Sequence, residues 1–270
     1  MCETVNNNRF WFNLVFSILG GAIFLFIALP LISILLQSTP KNLLIAFTDQ
    51  DVMHSIGLSF LSAAIATCLG LCGGVPLAYL LARKSFPGRG IIEAIINLPL
   101  VVPHTAAGIA LLLVFGRRGL LGSWLEPLGI VFIDNIAGIV VAMLFVSLPF
   151  LINSSRDAFK MVDCSLEKAA MVDGAGMWRT FWFVTLPLSW RGVLSGMLMM
   201  WARGISEFGA VVILSYHPKV ASVLVFERFQ GFGLNSAIPV ALLLVLGSVI
   251  IFSAIQGLLS NKRQNHIQDY

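Results

Sequence analysis

The feature that most limits what this chain can become is a series of long apolar runs. Each is close to the ~20 residues a helix needs to cross the ~30 Å hydrocarbon core of a bilayer. They fall at residues 11–36, 52–82, 91–115, 136–152, 192–214 and 237–259, and the fourth is the shortest. Strands of a membrane barrel would read as segments of about 10 residues in strict alternation. These runs are longer and continuous, so helices are expected. The charge content agrees: 11% of the 270 residues are charged and 58% are hydrophobic, against about 25% charged in an ordinary soluble domain. Thirteen acids and 17 bases cannot coat a soluble globule of this size. A free-standing soluble enzyme and a disordered chain are both excluded. The expected fold is all-α and integral to the membrane, a single six-helix transmembrane domain over residues 1–270.

The first run is expected to be retained as a helix. Its apolar core is too long for a signal peptide, only Arg9 precedes it as a base, and no small-x-small pattern follows Leu36. Orientation follows from lysine and arginine in the short loops. With the N-terminus inside, Arg9, Arg83, Lys84, Arg89, Arg156, Lys160, Lys168, Arg179, Arg191, Lys262 and Arg263 are cytoplasmic. Lys41, Arg117, Arg118, Lys219 and Arg228 are outside, and Arg203 lies within the fifth span. Eleven against five favours both termini in the cytoplasm of a multi-pass cell-membrane protein. Scattered between apolar runs, these bases set topology and do not form a nucleic-acid surface.

Pro76, Pro99, Pro103 and Pro149 interrupt spans, and Gly73, Gly74 and Gly108 permit close helix approach. Kinked packing and a hinge in a moving bundle fit these residues equally. Cys68 and Cys72 stand one helical turn apart in an apolar run, without a histidine or carboxylate at ligand spacing. They read as packing residues, and neither a metal nor a cofactor is expected in this chain.

The largest polar break runs over residues 153–191. Asp163 or Ser165 is placed to cap a helix through Ala170, with Glu167 in its first turn. Gly174 and Gly176 end that helix. A second short helix over residues 177–184 carries Trp178, Phe181 and Trp182, and Pro187 is expected to break it before the fifth span. A segment this aromatic is not disordered. It reads either as a hairpin lying in the headgroup layer or as a docking element for a soluble partner.

These residues carry a resemblance. Leu166-Glu167-Lys168-Ala169-Ala170, then Gly174, then Leu186-Pro187 resembles the EAA motif of ABC-importer permeases. The motif's glutamate directly precedes Ala-Ala, and here Lys168 holds that place with Glu167 one residue earlier. The segments PLAYLLARKSFPGRG (76–90), NLPLVVPHTAAGIALLLVFGRRGLLG (97–122) and WARGISEFGAVVIL (201–214) are similar to permeases of molybdate/tungstate and sulfate importers, with a lean toward molybdate/tungstate. The resemblance covers nearly the whole chain. It implies a type I importer permease acting as a homodimer, with two ABC ATPase subunits below and an extracytoplasmic oxyanion-binding protein above. It also implies a coupling loop that includes Glu167, Lys168, Ala169, Ala170, Gly174, Met177, Trp178, Leu186 and Pro187.

Inside the membrane, Arg203 and Glu207 lie four residues apart in the fifth run, a spacing that places them on one helix face. Either they lock each other as an ion pair, or Arg203 helps attract a dianion while Glu207 holds its orientation. His104 follows Pro103 and reads first as a packing hydrogen-bonder; Thr105, Ser147, Asn153 and Ser206 are further polar candidates for a pathway. Charge this sparse suits transient passage, since a pathway must release its ion as well as admit it. The chain has no Gly-Lys dipeptide and so no phosphate loop. ATP and its Mg belong on a partner subunit, and the chain is not itself an enzyme. An ABC permease for sulfate or another solute, and an ATP-independent secondary transporter, remain the alternatives.

Overall fold

The computed structural model describes the backbone of Cys2–Asn265 and the side chains of residues 9–254, 256 and 257. Lys262 and Arg263, counted above, lie outside the described side chains. Among the described residues every regular element is helical. Helix α1 spans Cys2–Gln37, α2 Pro40–Thr48 and α3 Gln50–Arg83; α4 spans Arg89–Val101 and α5 His104–Phe115. After the short α6 (Gly122–Leu125) come α7 (Ile136–Met161), α8 (Cys164–Val172), α9 (Met177–Thr180) and α10 (Leu186–Ile205). The chain closes with α11 (Gly209–Leu214), α12 (Ala221–Phe232) and α13 (Leu234–Asn265).

Five described helical stretches are long and apolar enough to cross a membrane, and a bent pair makes a sixth if counted as one span. That matches the expected architecture but changes three spans. The third is not one helix: α4 and α5 meet at 117°. Pro103 has no N–H to donate and pushes its predecessor out of helical geometry, and Val102 is extended (φ −70°, ψ 132°).

The fourth span continues through Met161, nine residues into the segment read as loop. The apolar run stops at Ile152, but the helix persists because Ser155, Ala158 and Phe159 still face the core. It ends only where Val162 turns extended. The fifth span starts earlier and stops earlier than expected. Pro187 does not break the chain: α9 runs through a π-helical turn, Phe181–Thr185, directly into α10. The Leu186 N–H bonds five residues back to the Phe181 carbonyl, a register shift that accommodates a proline with no N–H to give. The helix then ends at Ile205, so Glu207 stands outside it.

Helices α3, α7 and α10 form the trunk. At one level Ala63 and Ala66 pack with Ile139, Met143 and Val146 and with Trp201 and Ile205. At the other level Val75, Ala78 and Leu81 pack with Leu151, Ile152 and Phe159 and with Val193 and Met200. Gly74 and Gly108 face neighbouring helices closely, whereas Gly73 faces open space. Helix α1 is different: Phe10, Phe16, Phe24, Phe26 and Leu36 are all exposed. A bare apolar surface of that length is stable in lipid, where no hydrophobic penalty applies. At about 1.5 Å per residue, α3 is ~51 Å long and overruns the hydrocarbon core. Its C-terminal turn, with Arg83, therefore projects to where the helical loop is built.

Candidate functional site

Two polar assemblies interrupt this apolar trunk. The first organises the loop. The Asp163 carboxylate caps α8 by accepting from the Ser165 N–H at 2.8 Å. That bond holds the Asp163 carboxyl below its ordinary range. Gly174 closes the helix at φ +89°. The Gly174 N–H reaches the Met171 carbonyl and the Ala175 N–H the Ala170 carbonyl, the paired bonds of a left-handed helix stop that glycine adopts without steric cost.

Glu167 is turned inward and buried. Its Oε1 accepts from Arg83 at 2.9–3.0 Å and from the Thr185 hydroxyl at 2.7 Å. Glu167, expected within the coupling loop, lies there in the first turn of α8, with its side chain facing the trunk. Lys168 and Ala169 are exposed, as are Met177, Trp178, Trp182 and Phe183, while Ala170 and Leu186 are half-buried. Pro187 is exposed at the start of α10. Tyr79 of α3 packs edge-on against Phe159 and Phe181. Beside them a cavity of about 330 Å³ opens between Pro76, Tyr79, Leu80, Met177, Trp178 and Phe181. The loop thus has a buried side fixed to the trunk and an exposed apolar side edged by bases.

The second assembly lies where two helix breaks meet. His104 is the first residue of α5, just past the α4–α5 bend. Arg203 is in the last turn of α10, where a cation suits the helix dipole. Glu207 follows in the break before α11. The Arg203 guanidinium donates to Glu207 Oε2 at 2.9 Å, to the His104 ring at 2.8 Å and to the Ser206 hydroxyl at 3.2 Å. His104 Nδ1 lies 3.4 Å from Glu207 Oε2.

Glu207 is 1% exposed and also accepts from the Ala210 N–H at 2.9 Å, while the Ser222 hydroxyl donates to its carbonyl at 2.7 Å. Arg203 and His104 keep 23% and 43% of their side chains exposed. Gly209 makes this junction possible, because a Cβ there would lie 2.7 Å from that of His104. The ion pair read from the sequence is made, but across a helix end and not along one helix face. Thr105 and Ser206 are exposed beside it. Ser147 is spent on its own helix, bonding the Met143 carbonyl, and Asn153 donates to Asn97 at 2.6 Å.

Sequence reasoning missed Arg83, Thr185 and Ser222. Arg83 was read only as one base among several fixing topology. Its position at the end of an apolar run opposite an inward glutamate leaves no periodic signal.

Residues 74–264 match the family described as binding-protein-dependent transport system inner membrane component. The molybdate/tungstate transport system permease protein of Pyrococcus furiosus is 41% identical over 250 residues, which cover 92% of this chain and 95% of that one. The protein of the same description from Thermococcus kodakarensis is 39% identical over 250 residues, covering 92% and 96%. Among solved structures, a chain of a bacterial alginate ABC transporter in complex with an alginate pentasaccharide-bound periplasmic protein superposes with a TM-score of 0.73. It is 16% identical, with 92% of this chain and 93% of that chain covered, a likeness of fold.

Proposed function

The chain belongs to the family of binding-protein-dependent transport system inner membrane components and is a pore-forming permease subunit of an ABC importer; on that premise we propose that its cargo is the molybdate or tungstate dianion. Two copies would line one pore, each with both termini in the cytoplasm, with two ATPase subunits on the cytoplasmic loops and an oxyanion-binding protein on the opposite face. The cargo reading is supported by the identity to the archaeal molybdate/tungstate permeases over nearly the full length.

The observation that carries the mechanism is the two-sidedness of the loop from Cys164 to Thr185. Glu167 and Thr185 are buried against the trunk, while Lys168, Met177 and Trp178 are bare. ATP draws the ATPase subunits together, and closure is felt on the bare side. The buried side passes the movement to α7 and α10, shifting an inward-open to an outward-open pore. The ligand that biases the two states is ATP on the partner, because only it binds them differently.

Arg203, His104, Thr105 and Ser206 stand along the pathway, with Glu207 holding Arg203. The guanidinium charge is offset by Glu207, so a passing dianion meets hydrogen-bond donors without a deep electrostatic well. A pathway of this kind hands the ion on.

The test is uptake of radiolabelled molybdate into proteoliposomes holding the chain and an entrapped ATP supply, with and without the cognate ATPase. Uptake requires the ATPase and is competed by tungstate more strongly than by sulfate. Uptake without the ATPase points to an ion-gradient-driven transporter and overturns the proposal, while preferential competition by sulfate reassigns the cargo.

A further inference from the structure

The structure assigns Arg83 as a positioning residue that makes the coupling loop a rigid continuation of the α3 span. This rests on the coupling role proposed for the loop and goes beyond it, because Arg83 lies outside the loop, 84 residues before Glu167. All three arms of its guanidinium are used. Nε and Nη2 reach Glu167 Oε1 at 3.0 and 2.9 Å, Nη2 also donates to the Val162 carbonyl at 2.9 Å, and Nη1 lies 3.3 Å from Cys164 Sγ. Thr185 adds its hydroxyl to the same glutamate oxygen at 2.7 Å.

Arg83 thereby ties the end of α3 to the extended residue that ends α7 and to the first turn of α8, and Glu167 carries the tie on to Thr185 in the π turn that leads into α10. Both charged partners are more than nine-tenths buried, at 9% and 8% side-chain exposure. Each also sits where a helix dipole favours it, arginine in the last turn of α3 and glutamate in the first turn of α8. A lysine cannot replace this geometry, since an ammonium is a point charge and the three acceptors lie around a planar fork.

The clamp is needed because the rest of the attachment is apolar. Tyr79, Phe159 and Phe181 pack edge-on and tilted, contacts that resist separation but allow sliding. Hydrogen bonds fix direction. Pushed on its bare face, α8 would slip over the aromatic rings unless Arg83 held it, and the closure of the ATPase would be spent on the loop alone. With Arg83 in place, α3, α7 and α10 receive the movement together.

The experiment uses the full permease–ATPase complex in proteoliposomes and reads molybdate transported per ATP hydrolysed. R83A should keep ATP hydrolysis and lower that ratio by about tenfold, and R83K should fall between it and the parent. A second variant separates positioning from folding. In a chain whose Cys2, Cys68 and Cys72 are serine, R83C is joined to the native Cys164 by a short, reducible bis-thiol spacer. The ratio should be low before linking, recover on linking, and fall again on reduction, in one and the same preparation. An unchanged ratio in R83A, or no recovery in the linked R83C complex, overturns the inference. Either result leaves the ATPase dependence of wild-type uptake standing, so failure of the clamp is distinct from failure of the transport reading.

Discussion

Two of the arginine–glutamate pairs among the described residues have the same length, and their surroundings give them opposite properties. Arg83 and Glu167 meet at 2.9 Å, and so do Arg203 and Glu207. The first pair joins segments far apart in sequence, is buried on both sides, and has all three guanidinium nitrogens engaged. The second is local, joins residues four apart, and has an arginine that is 23% exposed beside a half-exposed histidine. The first fastens several helix ends to one another, the second stands at two helix breaks with part of its surface open. A pair buried on both sides resists rearrangement because every alternative leaves a charge without a partner. A partly hydrated pair at helix ends can exchange one partner for another at little cost. Under the proposed mechanism, the first pair transmits movement and the second changes during it.

The largest effect should come from breaking the first pair. Glu167→Ala leaves Arg83 buried with its main acceptor gone, a defect of about 3–5 kcal/mol. Amide hydrogen exchange in α8 should rise by two orders of magnitude or more, roughly the factor such an energy implies, while exchange in α13 stays unchanged. Equal protection of α8 in the variant would show that the apolar cluster alone holds the loop. Next comes Gly174. Nothing lies near its missing Cβ, so a side chain there meets only the backbone penalty of φ +89°. Gly174→Val should destabilise the α8–α9 turn by about 1–2 kcal/mol and lower transport per ATP, whereas Gly174→Asn, which tolerates that conformation, should be much milder. Equal effects would point to the lost surface and not to the turn.

How much of this was legible beforehand differs between the two regions for a physical reason. The apolar spans, the helix capped at Asp163 and the glycine stop at Gly174 each leave a local signature, and the structure carries all three. The exposed aromatic side of the loop was readable too, since Trp178 and Met177 stand out in a polar stretch and both are exposed. The bend at Val102 was half readable: Pro103 is visible, but a kink and a full 117° turn look alike in sequence. The extent of α7 and the passage of α10 through Pro187 were misread, because apolar runs mark lipid depth and not helix ends. Arg83 with Glu167, and His104 with Arg203, are tertiary pairings. They depend on which helix ends meet, and no spacing along the chain encodes that.

The second pair should respond more gently. In the double-mutant cycle of Arg203→Ala and Glu207→Ala, measured by thermal unfolding in detergent, the two changes should couple by about 1 kcal/mol. Arg203→Ala alone should slow molybdate uptake by more than its loss of stability explains. Uptake that tracks stability in all three variants would make Arg203 a purely structural lock and erase the contrast.

The smallest effect concerns a third pair, Asp49 with Arg228, at 2.6 Å and partly exposed. Asp49 caps α3, and the hydrogen bond from Arg228 holds its carboxyl below the usual range. A depressed carboxylate stabilises the fold above its ordinary pKa and loses that contribution as pH falls through its folded value. Thermal stability should therefore be flat from neutrality down to about pH 5 and decline below about pH 4. Arg228→Ala should flatten that decline.

The central claim is that the loop moves as one body with the trunk while the helix breaks rearrange. Spin labels at Lys84 and Lys168 report the first distance, and labels at Thr105 and Ser206, all exposed positions, report the second. Distances are compared in the assembled complex without nucleotide and trapped with ATP. The account predicts a Lys84–Lys168 distance that stays fixed and a Thr105–Ser206 distance that shifts. A loop distance that changes with ATP while the distance across the breaks stays constant would contradict it.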